Sequence, residues 1–236
     1  MSDKKYEHLF FDLDHTLWDF KTNSRLTLNE LFEVHNLKSY GIADFETFLA
    51  HYEVVNEAMW KAYREGNLEK SDLRNRRFER VLKEWDVTNL ELSKTLTEQY
   101  LKLSPTKPNL MPNAIETLNY LQESYPIHLI TNGFIEVQAT KLNSSGLVGY
   151  FKHIITSEEI GVLKPHPLVF ETALQKTGAE AHSSLYIGDH FESDVLGSSN
   201  AGWDQVFFNP ENQAIDHHNH VPTFHIQDLK ELMDFL

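Results

Sequence analysis

The apolar run Leu9-Phe10-Phe11 stops at Asp12-Leu13-Asp14, two carboxylates one residue apart, followed by His15-Thr16-Leu17. A chain can bury such a run as a strand only if its end reaches a place that tolerates two like charges. The crevice above the carboxyl edge of an open α/β sheet is such a place. The charges then need a cation, a proton or both beside them. We therefore expect Asp12 and Asp14 above a strand end, with their partners supplied from elsewhere in the chain.

Helical spacing follows. From Asp44 to Tyr63 the residues Phe45, Phe48, Leu49, Tyr52, Val55, Met59, Trp60 and Tyr63 recur at steps of three and four, one face of an amphipathic helix. Leu73, Phe78, Val81, Leu82 and Trp85 repeat the pattern, as do Leu92, Leu96, Tyr100 and Leu103. Thr88-Asn89-Leu90-Glu91 has the spacing of a capping box for the last of these helices. With the segment from Thr22 to His35, residues 21–103 are predicted to form a bundle of about four helices without strands. Trp60 and Tyr63 are expected in its core.

Beyond Pro108 the pattern alternates. Strands are expected at Ile127–Thr131, His153–Thr156, Leu185–Gly188 and Gln205–Phe208. Helices are expected near Pro112–Glu123, Ile135–Asn143, Pro167–Lys176 and Val195–Asn200. Strands alternating with helices imply right-handed crossovers and a doubly wound parallel α/β sheet. Residues 1–20 and 104–236 would form that core, and the helical stretch is an insertion in it.

A net charge of -14 speaks against a nucleic-acid surface, which needs clustered Lys and Arg. With no cysteine there is neither a disulfide nor a thiolate metal site. No apolar stretch reads as a membrane span or a signal peptide, so a cytoplasmic protein with a small-molecule partner is expected. Oligomeric state stays open.

Three later strand ends supply what the opening aspartates lack. Thr131 offers a hydroxyl, and Asn132 and Gly133 offer backbone amides for a phosphoryl oxygen. Lys164, before Pro165, offers a cation in a turn. Asp189 and Asp194, in Gly188-Asp189-His190-Phe191-Glu192-Ser193-Asp194, add two carboxylates. A parallel sheet would bring all four ends to one edge. A Mg²⁺ ion suits an all-oxygen ligand set. With Lys164 it would offset all but one of the four aspartate charges, leaving one carboxyl protonated, as a general acid must be.

These motifs, Asp12-x-Asp14-x-Thr16, Thr131-Asn132-Gly133, Lys164-Pro165 and Gly188-Asp189-x-x-x-Ser193-Asp194, resemble in content and order those of the haloacid dehalogenase-like hydrolase superfamily. The insertion resembles that superfamily's C1-type cap. The resemblance implies an aspartyl-phosphate mechanism with Asp12 as nucleophile and Asp14 as general acid and base. Thr131 and Lys164 would stabilise the transferred group. Mg²⁺ would be held by the Asp12 carboxylate, the Asp14 backbone carbonyl and Asp189, with Asp194 bound directly or through water. True dehalogenases lack the second acid, so Asp14 favours phosphate chemistry. Thr16 is read as supporting the turn.

The run Val54 to Gly66, with Arg77-Phe78 and the residues around the core motifs, resembles the pyrimidine 5′-nucleotidases of YjjG type. That implies nucleoside 5′-monophosphates as substrates. Asn56 and Arg77 fall on apolar helix faces and need partners, either each other or a ligand under the cap. With Trp60 and Tyr63 they are the candidate specificity residues. A sugar-phosphate or phosphoglycolate-type phosphatase is the alternative, then a phosphomutase. A non-catalytic phosphoacceptor or binding domain is the alternative from another class. His217-His218-Asn219-His220 is not read as a metal site, because adjacent side chains splay apart.

Overall fold

A computed structural model describes residues 5–214 and 220–236. The chain begins with β1 (His8–Phe11), α1 (Phe20–Val34), α2 (Phe45–Arg64), α3 (Lys70–Asn75), α4 (Arg77–Leu82) and α5 (Leu90–Leu103). It continues with α6 (Ala114–Gln122), β2 (Ile127–Thr131), α7 (Ile135–Ser144), β3 (Phe151–Thr156), α8 (Ser157–Ile160) and α9 (Pro167–Thr177). It ends with β4 (Ser184–Gly188), a π-helical segment (Phe191–Leu196), α10 (Gly197–Asn200), β5 (Asp204–Phe208) and β6 (Phe224–Ile226). Two compact units result, residues 1–20 with 108–236, and residues 21–107.

In the first unit the six strands form one parallel sheet in the order β3-β2-β1-β4-β5-β6. Strand β1 is internal, pairing with β2 on one side and β4 on the other. The chain builds outward from β1 through β2 to β3, then crosses to β4 and builds the other way. That reversal opens a crevice at the carboxyl ends of β1 and β4. Side chains alternate between the sheet faces. Leu9, Phe11, Leu129 and Ile187 pack in one apolar layer with Leu118 and Leu121 of α6 and Leu142 of α7. Phe10, Ile130 and Tyr186 pack in another with Val169, Phe170 and Ala173 of α9 and with Trp203. Both faces are therefore covered, as the doubly wound architecture requires.

The second unit has its own apolar centre, in which Leu28, Leu31 and Phe32 of α1 meet Phe48 and Tyr52 of α2, Phe78 and Val81 of α4, and Leu96 and Tyr100 of α5. Its last residues form a tight turn, Ser104–Thr106, and Lys107 pairs with Glu30 at 2.9 Å. Those contacts carry this unit four residues past the expected boundary.

Other expectations shift in detail. The helix expected through Leu73–Trp85 leaves helical geometry at Arg76 (φ -109°, ψ 4°) and becomes α3, α4 and a short turn. Asn89, not Thr88, caps α5, its side chain accepting from Leu92 N at 3.0 Å. Trp60 and Tyr63 are only partly buried and meet edge to face at 5.9 Å. The buried stripe of α2 is Phe48, Leu49, Tyr52 and Met59. Trp60 stands one position round the helix from it, and Tyr63 lies in the last turn. Strand β6 was not expected. No helix among the described residues is long and apolar enough to cross a membrane. The reading of His217-His218-Asn219-His220 falls mostly on residues 215–219, outside the described set.

Candidate active site

Asp12 continues β1, its N–H donating to the Ile187 carbonyl of β4 at 2.9 Å. The next residues turn sharply. His15 takes a left-handed conformation (φ 66°), and the N–H groups of Leu17 and Trp18 both return to the Leu13 carbonyl. This turn sends Asp12 and Asp14 to different partners.

Asp12 goes to Lys164. The lysine is fully buried in the loop after α8, and its Nζ donates to Asp12 Oδ1 at 2.7 Å and Asp194 Oδ1 at 2.7 Å. It also meets the Tyr186 hydroxyl at 2.6 Å and the Ile130 carbonyl at 3.0 Å. Burial alone would discharge this ammonium, but the Asp12 and Asp194 carboxylates hold its pKa above the ordinary lysine value. Asp194 is fixed from its other oxygen by His190 N at 3.0 Å. A Cβ on Gly188 would overlap this carboxyl, so only glycine lets the π-helical segment pack so closely on β4. Asp189 Oδ1 accepts from the Thr16 hydroxyl at 3.0 Å.

One oxygen from each of Asp12, Asp189 and Asp194 lies within 4.8 Å of the others. Burial, reinforced by the Asp194 charge, raises Asp189 to about 8. Burial also raises Asp12 well above the usual carboxylate range, with Asp194 and Asp189 adding to the shift against the pull of Lys164. Asp12 and Asp189, whose desolvation disfavours their ionisation, and the carboxylate of Asp194 beside them offer oxygen donors only and fit a hard divalent cation such as Mg²⁺.

The second motif is placed differently from the expectation in one respect. Thr131 Oγ1 accepts from Gly133 N at 3.0 Å and from Gln138 Nε2 at 2.9 Å, which leaves its own proton for another acceptor. The Gly133 amide is thus engaged at home. The Asn132 side chain braces the lysine loop: Oδ1 accepts from Lys164 N at 2.8 Å and Ser157 Oγ at 2.6 Å, and Nδ2 donates to the Lys164 carbonyl at 3.1 Å.

Asp14 meets two residues that sequence reasoning passed over, both on α7. Lys141 Nζ lies 2.5 Å from Asp14 Oδ1, and Gln138 Nε2 donates to Asp14 Oδ2 at 2.9 Å. Burial would raise this carboxyl, but Lys141 overrides it and holds the pKa below the ordinary value. This corrects the charge count made from sequence. Lys141 supplies the charge that was missing, so a divalent cation and two lysines balance four aspartates with no carboxyl left over. A signal was present: Gln138, Lys141 and Leu142 occupy the buried stripe of α7, two polar residues where apolar ones belong.

The cap candidates lie in the second unit. Arg77 is buried, donates from Nη1 to the Tyr52 hydroxyl at 3.0 Å and stands over the Tyr100 ring at 5.8 Å. The Tyr100 hydroxyl bonds Ser24 Oγ at 2.8 Å. Arg77 Nε and Asn56 Oδ1 are both buried without a partner, so the two residues do not satisfy each other there.

A family model described as haloacid dehalogenase-like hydrolase matches residues 6–202. The crystal structure of HAD-hydrolase YfnB from Bacillus subtilis, bound to magnesium, superposes with a TM-score of 0.87 at 31% identity over 98% of each chain. The pyrimidine 5′-nucleotidase YjjG of Escherichia coli is 32% identical over 98% of this chain and 98% of its own. A glyceraldehyde 3-phosphate phosphatase of Methanothermobacter thermautotrophicus is 29% identical over 97% of this chain and 98% of its own.

Proposed function

The chain belongs to the haloacid dehalogenase-like hydrolase family, and from that footing we propose that it is a Mg²⁺-dependent phosphatase of nucleoside 5′-monophosphates, pyrimidine nucleotides first. The observation that carries the phosphatase reading is Lys164 bridging Asp12 and Asp194 at 2.7 Å each, with Asp189 alongside. Asp12, Asp189 and Asp194, with the Asp14 backbone carbonyl, would hold the cation. When bound, it neutralises the carboxylates and the phosphoryl oxygens, so that one anion can approach another.

In the first half-reaction a carboxylate oxygen of Asp12 bonds to phosphorus as the ester P–O bond breaks. The leaving alcohol takes its proton from Asp14. In the second, water gives a proton to Asp14 and its oxygen attacks phosphorus, releasing phosphate and restoring the Asp12 carboxylate. Asp14 is ionised against Lys141 in the free protein, so the proton it gives to the alcohol comes to it from the monoanionic ester as that binds. It leaves the first half-reaction in the ionised form that the second step uses, and the proton it takes from water there departs with the phosphate. Lys164 and the Thr131 hydroxyl stabilise charge on the group in flight.

The nucleotide preference is supported by the YjjG likeness and by the buried polar atoms of Arg77 and Asn56, which a base carbonyl or amide could satisfy. Trp60 and Tyr63, partly exposed and packed edge to face on each other, would offer an aromatic surface for a base. The glyceraldehyde 3-phosphate phosphatase likeness favours a second reading, a sugar-phosphate phosphatase on the same core. Phosphate release from nucleoside monophosphates and small sugar phosphates, with Mg²⁺ and with chelator, tests both. Equal or better turnover of the sugars would overturn the nucleotidase reading, and no release from any ester would overturn the phosphatase reading. Arg77→Ala in the same panel should reorder the nucleotides. An unchanged order with a lower Tm would return Arg77 to packing alone.

A further inference from the structure

Helix α7 carries two polar side chains into the interior at consecutive turns, Gln138 (1% exposed) and Lys141 (5% exposed). Burying an amide and an ammonium is costly unless specific partners repay the lost hydration, and both reach the same one. Lys141 Nζ bonds Asp14 Oδ1 at 2.5 Å while resting 4.3 Å from the Trp18 ring centroid and 5.6 Å from that of Phe20. Its ammonium is thus held between a carboxylate and two aromatic faces. Gln138 Nε2 is shared between Asp14 Oδ2 and Thr131 Oγ1, each at 2.9 Å. Because both acceptors are oxygens, the nitrogen end of the amide must face them, and the oxygen end is buried with no partner.

Gly133 completes the arrangement. A Cβ at that position would overlap the Gln138 amide, so the glycine of the second motif is what admits Gln138 to the site. Each oxygen of Asp14 is therefore held from α7, and one of the two contacts is tied to the hydroxyl expected to bind the transferred phosphoryl group.

We propose that Gln138 and Lys141 are positioning residues for Asp14, fixing its carboxylate at a set distance from Thr131 so that proton transfer and phosphoryl binding share one frame. The pair touches no reacting atom; it acts through Asp14. The inference rests on the phosphatase reading. The wild-type panel described above judges that reading by itself, whereas the variants below judge the pair.

The decisive case is Lys141→Met, which keeps an unbranched chain against Trp18 but removes the charge. Steady-state turnover of the preferred ester should fall about 100-fold, the scale of a misplaced reacting group, with KM within about threefold of wild type. With p-nitrophenyl phosphate, whose leaving group needs no proton, the first half-reaction should survive and the second should stall. The readout is a burst of about one nitrophenolate per site, followed by slow release, with phosphate trapped on Asp12. Lys141→Arg, which restores a cation and donors, should recover part of the rate and shrink the burst. Gln138→Met should show the burst more weakly. Wild-type turnover in Lys141→Met would overturn the proposal. So would a loss equal for every ester, without a burst and in proportion to a lower Tm, since that marks a packing role only.

Discussion

Replacing His128 should make the protein less sensitive to acid, by an amount the sheet geometry allows to be worked out. His128 is buried on β2 (1% exposed), its ring 4.7 Å from Phe10, 5.3 Å from His8 and 5.3 Å from His153. Its Nε2 bonds His8 Nδ1 at 3.0 Å and its Nδ1 has no partner. Burial, helped by the neighbouring His8 and His153, lowers its pKa to about 3. The unfolded chain, near pH 6.5 for histidine, then binds the proton first, so this contribution to stability declines as pH falls through that value and continues to fall until the folded group protonates. At pH 5 the loss is about 2 kcal/mol relative to pH 8, insensitive to the folded value while it stays well below 5.

His128→Phe keeps an aromatic ring in the stack and removes the titration. It also removes one hydrogen bond, at a cost of about 1 kcal/mol at every pH, since the part-exposed His8 can turn to water. The variant should therefore be the less stable protein at pH 8 and the more stable one at pH 5, by about 1 kcal/mol each way, or roughly 3 °C in Tm. Asp12 and Asp189, raised by burial, stabilise in the opposite direction on acidification, but they are common to both proteins and drop out of the difference. Urea or thermal unfolding of both proteins from pH 5 to 8 is the assay. Parallel stability curves would refute the reasoning.

Asp12→Asn should reduce phosphate release by at least about 10⁴-fold with an unchanged circular dichroism spectrum, because Lys164 keeps Asp194 as its counter-ion; retained activity would remove Asp12 as nucleophile. Saturating Mg²⁺ should raise Tm more at pH 8.5 than at pH 6.5, because Asp189, raised to about 8, must lose its proton to bind the ion. A pH-independent increment in scanning fluorimetry would contradict that. Gly188→Ala should cost about 1–3 kcal/mol and most of the activity by displacing Asp194, and a variant with wild-type Tm and turnover would show the close approach to be relaxed at no cost.

What could be read in advance divides along physical lines. Asp12 and Asp189 directly follow the strands β1 and β4, while Lys164 and Asp194 follow β3 and β4 by way of α8 and a π-helical turn. A parallel sheet sends these strand ends to one edge, so order along the chain predicted nearness in space. Gln138 and Lys141 were missed because Ile135–Ser144 reads as a packing helix, and a helix face shows which residues turn inward but not what waits there. The same uncertainty covered Asn56 and Arg77, whose apolar neighbours are plain in the sequence and whose partners are not. For Arg77 those partners are tyrosines on α2 and α5. Strand β6 has three residues, too few for alternation to register, and exists because β5 offers it an edge.

The pairing of β1 with β4 has a bearing on biosynthesis. His8–Phe11 is translated well before its β4 neighbours Ser184–Ile187, with β2, β3 and the helical unit made in between. Contacts so distant along the chain form slowly and leave apolar segments uncovered meanwhile. The segment leading into Asp12 therefore waits, unsheltered on that side, until Ser184–Ile187 is made, which makes nascent chains stalled short of Ser184 natural clients for chaperones.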